Sequence, residues 1–267
     1  MPDVEKVKAG TRARIEHVSR RGQELADLVT DWLATKPVGV TSKISDDRLI
    51  FEGRWRVAPA PSEQWALIFA DGIHHLRAAM DNCLHAIAEQ EGATPKQLTA
   101  VQFPVVSDPV KWSGERRRIE MLPERVRDVI ESLQPFLQPV AERSTNGLAV
   151  LSSLNNADKH RIILTSLIQP KSIEHSFQVA FEKGRSVDTA PAVEYFNEVA
   201  DGALSIRVDG TPDRIAEVTG GGNFSAQVMV IDGAGQQWGI TDILAKLATY
   251  VSFVLDGIAD VWQPPKR

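Results

Sequence analysis

The feature that most constrains this chain is a segment, residues 62 to 92, that combines helical periodicity with very little charge. Ser62 is a favourable cap for the start of a helix, and Gly92 is a natural stop. Between residues 64 and 88 the only formal charges belong to Asp71, Arg77 and Asp81. A solvated helix face normally carries more charge than this. We therefore expect the helix to be central and covered on both sides by other elements.

One side of this predicted helix is apolar. An advance of 100° per residue from Trp65 places seven side chains within a wedge of about 100°. These are Phe69, Ile73, Leu76, Met80, Cys83, Leu84 and Ile87. The width is typical of a surface that faces a core. We expect the stripe to be buried and Cys83 within it to be an inert thiol.

The opposite side of the helix carries titratable side chains. His74, Asp81 and His85 fall within a stripe of about 40°, flanked by Arg77 and Asp71. Arg77 and Asp81 are four residues apart, so they can pair along the helix. Two interpretations remain open at this stage. The polar side chains form a network that only fixes helix packing, or His74, Arg77 and His85 bind a ligand and Asp81 takes part in its chemistry.

A second polar cluster occupies residues 155 to 161, between the apolar helix NGLAVLSSLNN and the apolar run IILTSLI. This position predicts a loop, which needs polar residues for solvation alone. The functional alternative is a loop that presents His160 as an acid or a base, oriented by Asp81 or Asp158. Lys159 and Arg161 would then bind an anionic group.

A metal centre has little support in the sequence. His74 and His85 are about 16 Å apart along the helix axis, so they cannot bind one ion. Asp81 and His85 can supply two ligands, but a zinc or iron site needs a third, such as His160. The chain has neither an HExxH motif nor a pair of cysteines. We expect no metal site, and the sequence names no cofactor.

The remaining segments predict an α+β fold. The expected elements are a helix over residues 3 to 34, a β-hairpin over 38 to 57 with its turn at residues 45 to 47, and interrupted helices over 94 to 157. Within that helical region, Asp108–Pro109 and Pro123 are expected to begin new segments. An antiparallel β-meander over 162 to 232 with a turn at Gly220–Gly222 and a helix over 241 to 262 complete the chain. We expect one domain over residues 1 to 267. Its bundle-like helical part comprises about 1 to 160 and 241 to 262, and its sheet comprises about 162 to 232.

Composition excludes several classes of protein. The 267 residues include 30 Lys and Arg against 35 Asp and Glu, for a net charge of −5, which argues against a general nucleic-acid-binding protein. The charged start, MPDVEKVKAG, is unlike a signal peptide, and the last helix is one-sided, which argues against a membrane span. A single cysteine indicates no disulfide framework. We expect a cytoplasmic protein, with a homodimer as the default assembly.

Four sequence blocks resemble a group of uncharacterised bacterial proteins that carry them in the same order. The blocks are HLRAAMD at 75 to 81, FPV at 103 to 105, IESLQPF at 130 to 136 and LNNADKHR at 154 to 161. The resemblance covers roughly residues 65 to 165. It implies a bacterial protein but brings no activity with it.

The helix block also resembles the Arg-x4-6-His motif of HEPN-type ribonucleases. That resemblance implies that Arg77 binds a phosphate and that a following histidine activates a ribose 2′-hydroxyl. In this chain the residue five positions after Arg77 is Asn82, so the sequence departs from the motif at the base. We therefore expect a protein that binds a small anionic or nucleotide-like ligand in a polar pocket between helices. A HEPN-like ribonuclease, either intact or degenerate, and a structural or interaction protein without a ligand are the alternatives.

Overall fold

The computed structural model describes residues 4–160, 167–182, 192–196 and 198–262, and the side chains of 4–8, 158–160, 167–177, 221–224 and 226 are outside that description. The chain divides into two compact units. The first comprises Met1–Asp27, Ser62–Ser166 and Val230–Arg267, and the second comprises Leu28–Pro61 and Leu167–Met229. The helices and antiparallel strands of the whole described structure confirm the predicted α+β class.

Most helices belong to the first unit. They are α1 (Val4–Ala34, which extends into the second unit), α2 (Ser62–Gln90), α3 (Pro95–Ala100), α4 (Pro109–Arg118), α5 (Glu124–Ser132), α6 (Gly147–His160) and α7 (Ile240–Val261). The proline-rich segment between α5 and α6 forms two 3-10 turns, Pro135–Leu137 and Val140–Thr145. The predicted breaks fall at the expected places because Asp108 caps α4 and Pro123 precedes α5.

Helix α2 is central to the first unit and packs against α6 and α7. Every residue of its predicted apolar stripe is buried, with exposed fractions between 0% and 3%. The facing stripe of α7 is buried as predicted, from Ile243 to Ile258. The expectation that α2 is covered on both sides is wrong for the face opposite the apolar stripe. Leu67 is 72% exposed on that face, and His74, Asn82 and His85 are exposed as well. A low density of charge therefore did not mark a covered face, because single exposed apolar or polar residues are common on protein surfaces.

The second unit contains a four-stranded antiparallel sheet. In chain order the strands are β1 (Val38–Ile44), β2 (Ile50–Val57), β3 (Leu167–Phe181), β4 (Ala192–Tyr195), β5 (Leu204–Asp209), β6 (Ile215–Ile231) and β7 (Gln237–Gly239). The four-stranded sheet has the order β1-β2-β5-β4, and β3, β6 and β7 form another. The predicted hairpin therefore joins strands from far along the chain, in an order that differs from a simple meander. Phe51, Ile206, Val208 and Ile215 form the core.

The predicted turn at Gly220–Gly222 is wrong. These glycines lie within β6 and pair with residues 175 to 177 of β3, so one strand of 17 residues replaces two shorter ones. The neighbouring strand β3 is 15 residues long and supplies a hydrogen-bonding partner for both halves. A strand can retain glycines when its backbone is paired in this way, although glycine weakens the strand.

The predicted loop after NGLAVLSSLNN is also wrong over residues 158 to 160. Helix α6 continues to His160, so Asp158, Lys159 and His160 are helical. The cluster of polar residues suggested a loop, but Asp, Lys and His have ordinary helix propensities, and none of them interrupts a helix as proline does. In the described part of the chain, none of the helices has the length and apolar character needed to cross a bilayer.

Candidate functional site

A polar pocket of about 280 Å³ lies in the first unit, and we call it the Arg77 pocket. Helix α2, the segment after α3, helix α4 and helix α6 contribute to its wall. The side chains that carry hydrogen-bonding groups into this wall are Arg77, Asp81, Gln102, Glu115, Arg118, Ser152, Asn155 and Asn156. The pocket therefore combines two guanidinium groups, two carboxylates and three amides.

Arg77 and Asp81 together fix the backbone at Phe103. The Arg77 Nε donates to Oδ2 of Asp81 at 3.2 Å, and its Nη2 donates to the Phe103 carbonyl at 2.6 Å. Oδ1 of Asp81 accepts the Phe103 N–H at 2.8 Å. The Arg77 side chain is only 17% exposed. These contacts hold the guanidinium plane in one orientation in the pocket wall.

Gln134 holds the next part of the same wall. Its side chain is 1% exposed. Its Nε2 donates to the Pro104 and Ile130 carbonyls, each at 3.0 Å, while its Oε1 accepts the Val106 N–H at 2.9 Å. The extended segment around residues 103 to 106 is therefore fixed at both ends, by Arg77 with Asp81 and by Gln134.

Helices α4 and α6 complete the pocket. Asn155 is 5% exposed, so its amide is almost fully withdrawn from bulk water. Ser152 and Asn156 are four residues apart on α6, so they lie on the same face of the helix, and both line the pocket with Asn155. On α4, Arg118 pairs with Glu115 at 3.0 Å, and the Arg118 side chain is 66% exposed. Arg77 on α2 and Asn155 on α6 are thus largely buried members of the wall, whereas Arg118 on α4 is open to solvent.

The structure brings together part of the predicted site. Arg77 and Asp81 line the pocket, and they meet there the FPV block and the two asparagines of the LNNADKHR block. His74 and His85 are exposed and lie outside the pocket wall, so their predicted ligand-binding role has no support from this pocket. The predicted contributions of Asp158, Lys159 and His160 depend on side chains outside the described residues, as does that of Arg161.

Sequence reasoning missed a second group, formed where α1 packs on α2. We call it the His17 cluster, made of His17, Asp71 and His75. Nε2 of His17 lies 2.9 Å from Oδ2 of Asp71, and Nε2 of His75 lies 3.5 Å from Oδ1. The two imidazole rings are 4.3 Å apart between centroids. Asp71 and His75 are four residues apart, a spacing that allows a pair along α2, but nothing in the sequence places His17 beside them.

Two arginines of α1 flank the His17 cluster. Arg21 donates from Nε to Oδ2 of Asp71 at 3.0 Å. Arg14 donates from Nη1 to Nδ1 of His75 at 2.9 Å. With its amide oxygen turned toward α1, Asn82 accepts from Nε and Nη2 of the same guanidinium at 3.0 and 2.9 Å. Asn82 thus contacts α1, whereas Arg77 contacts Phe103.

The cluster shifts the titration of two of its members. Burial, followed by the charges of His17 and Arg14, lowers the pKa of His75 below its ordinary value of 6.5, and Asp71 only partly opposes this. Burial raises the pKa of Asp71, but the hydrogen bond from His17 and the charges of His17, His75 and Arg21 outweigh it, so this pKa is lowered from 3.8. At pH 7 His75 is therefore neutral and Asp71 is ionised.

Comparisons of this chain with protein-family models, curated proteins and solved structures find no match.

Proposed function

We propose that this protein binds a small polar ligand with an anionic group in the Arg77 pocket. The observation that carries the proposal is a guanidinium, only 17% exposed, held in the wall of a polar pocket beside the buried amide of Asn155. Asp81 and the Phe103 carbonyl already occupy the Nε–H and Nη2 of Arg77, so its remaining donors for a carboxylate or phosphate oxygen are the N–H groups of Nη1. The amides and Ser152 offer donors and acceptors to an uncharged part of the ligand.

The size of the pocket limits the class of ligand. Ligand pockets commonly enclose about 300 to 1,000 Å³, so a pocket of about 280 Å³ is at the small end of that range. It accommodates a small carboxylate, a phosphorylated metabolite or one nucleotide, and it is too small to enclose a dinucleotide. The near absence of apolar lining favours a ligand that is polar over most of its surface.

The two arginines of the pocket have different roles, because Arg77 is largely buried and Arg118 is exposed. Asp81 already pairs with Arg77, so the Arg77 guanidinium is held in the pocket wall before a ligand binds. The Arg118–Glu115 pair is a surface ion pair, and such pairs contribute only about 0 to 1 kcal/mol. Arg118 can therefore turn from Glu115 to an anionic ligand at little cost. This exchange gives an anionic ligand a cationic partner in the pocket, although the formal charges of Arg77, Arg118, Asp81 and Glu115 sum to zero.

The proposal extends to His160 through the helical repeat. Residues 159 and 160 follow Asn155 and Asn156 by one turn of α6. An acid or base role for His160, oriented by Asp81 or Asp158, remains part of the proposal, as do anion contacts from Lys159 and Arg161. Their side chains are outside the described residues, so the binding measurements rest on Arg118 and its neighbour Arg117.

Thermal-shift measurements with a panel of probes test the proposal. The panel contains inorganic phosphate, nucleoside monophosphates and small dicarboxylates, because binding to the folded state raises the melting temperature. We expect Arg118→Ala to remove most of the rise. The neighbouring Arg117→Ala is the control, since Arg117 is exposed on the same helix and lies outside the pocket wall. Equal loss in both variants, or no rise with any probe, contradicts the proposal.

A further inference from the structure

We propose that His17, Asp71 and His75 form a binding site for a divalent transition metal ion of the zinc class. The inference is independent of the Arg77 pocket, because it rests on a different set of side chains between α1 and α2. Each of the three offers one ligand atom, and these atoms all lie within 4.8 Å of one another. The three residues come from two helices, so the group depends on the tertiary structure.

The distances fit the coordination geometry. Ligand atoms about 2.1 Å from a tetrahedral zinc ion are about 3.4 Å from one another. In the cluster, Asp71 has oxygens 2.9 Å and 3.5 Å from the imidazole nitrogens of His17 and His75. These two distances are close to the tetrahedral spacing, and all three ligand atoms lie within 4.8 Å of one another, so small side-chain adjustments bring them to those positions.

The chemistry of the ligands favours a transition metal over magnesium or calcium. Imidazole nitrogen is a ligand for zinc, copper, nickel and iron, whereas magnesium and calcium prefer oxygen ligands. Two histidines with one carboxylate also occur at zinc sites that keep a fourth position for water. The side chains of His17, His75 and Asp71 are 33%, 27% and 35% exposed, so an ion and a water molecule can enter.

The surrounding charges set the strength of binding. Arg14 donates to Nδ1 of His75, and this proton arrangement must change when Nε2 binds a metal, because Nδ1 then carries the proton. Arg14 keeps its two hydrogen bonds to Asn82 when it gives up the histidine. Its positive charge still repels the ion. Arg14 is therefore an antagonist of metal binding, and its removal is expected to strengthen the site.

Zinc binding to the full-length, chelator-treated protein tests the proposal. We titrate the protein with zinc chloride against a chromophoric chelator and expect one zinc per chain. His17→Ala, Asp71→Asn and His75→Ala are each expected to weaken binding at least tenfold. His85→Gln is the matched control, because His85 is exposed on α2 and outside the cluster. No stoichiometric zinc in the wild type, or an equal loss in the control, overturns the proposal.

Two further measurements separate metal binding from a structural effect. Circular dichroism in the presence of EDTA establishes that each variant is folded without metal. Cobalt in place of zinc is expected to give visible absorption bands with the wild type and none with the three cluster variants. Arg14→Ala is expected to bind zinc several-fold more tightly than the wild type. Equal or weaker binding by Arg14→Ala contradicts the proposed geometry.

Discussion

Asp81 makes two contacts that serve different purposes. One oxygen accepts the Phe103 N–H, and the same carboxylate pairs with Arg77. The first contact anchors the segment that precedes α4, and the second orients a guanidinium toward the pocket. A polar network of this kind can define a structure without any ligand, so its presence alone does not distinguish a packing role from a binding role.

We expect Asp81→Asn to lower the free energy of unfolding by about 1 to 3 kcal/mol, because the new amide group points an N–H toward the N–H donors of Arg77. For a chain of this size the melting temperature falls by about 2 to 4 °C per kcal/mol. Thermal denaturation followed by circular dichroism provides the measurement. Glu89→Gln removes a carboxylate from an exposed position of the same helix and serves as control. A control that melts as low as Asp81→Asn would contradict the assignment.

Residue-level features were predictable where one helix contained all the information. The apolar stripe of α2 and the pairing of Arg77 with Asp81 follow from the helical repeat, and both are present. The partner of Asp71 on α1 did not follow. His17 is 54 residues away in sequence, and periodicity within each helix does not fix the axial register between two helices.

At the scale of elements, α2 and α7 approach each other closely at Gly72. A Cβ atom added there would lie 2.8 Å from Cδ1 of Leu244, a side chain that is fully buried. Gly72 therefore permits a helix contact that any larger residue would open. The low helix propensity of glycine is the cost of this contact, about 1 kcal/mol relative to alanine.

We expect Gly72→Ala to destabilise the protein and Gly257→Ala to stabilise it. Both sites lie inside helices, so alanine gains about 1 kcal/mol of propensity at each. At Gly72, overpacking against Leu244 costs about 1 to 3 kcal/mol and outweighs that gain, whereas a Cβ at Gly257 meets nothing within 4 Å. Urea denaturation of the two variants checks the opposite signs. Stabilisation by both would show that Leu244 moves aside freely.

Element boundaries were predictable where proline, glycine or a cap marks them. The starts of α2, α4 and α5 and the turn of the N-terminal hairpin were placed within a few residues. The two errors have one physical origin. At Gly220–Gly222 and at residues 158 to 160, local composition favoured an interruption, but pairing with β3 and continuation of α6 prevailed.

At the scale of the whole molecule, the charge distribution argues against nucleic-acid binding. The net charge is −5. Several arginines are already paired with carboxylates, as in Arg21 with Asp71, Arg116 with Glu131 and Arg118 with Glu115. Binding to RNA without sequence preference requires a continuous set of cations that replace counterions along the phosphates. In the described part of the chain, arginines that are paired in this way are not free to replace counterions along a phosphate backbone.

We expect the protein to neither shift nor cleave mixed RNA at about 0.15 M salt, conditions that screen weak charge contacts. Electrophoretic mobility and a cleavage time course measure the two effects. Arg77→Ala and His160→Ala are included for two reasons. The HEPN resemblance implies that Arg77 binds phosphate and that a histidine acts as the base, and His160 is the histidine predicted to act as an acid or a base. Cleavage by the wild type that both variants lose would establish the ribonuclease alternative in place of our prediction.

The order of strands was the part of the fold that the sequence could not provide. Alternating residues identify a strand, but they leave open which edge it joins. The hairpin of β1 and β2 pairs with β5, which follows it after five intervening helices and two strands. The class and most elements could be predicted, while this long-range pairing depends on tertiary packing.

The pairing of β2 with β5 also sets the timing of folding during synthesis. Ile50 pairs with Asp209, a separation of about 160 residues, so a large loop must close before the central pair of this sheet exists. At about 5 to 20 residues per second, the ribosome needs roughly 8 to 30 s between β2 and β5. Throughout that interval one edge of β2 has no strand of this sheet to pair with. The newly made hairpin is thus exposed during this interval to wrong pairing between nascent copies.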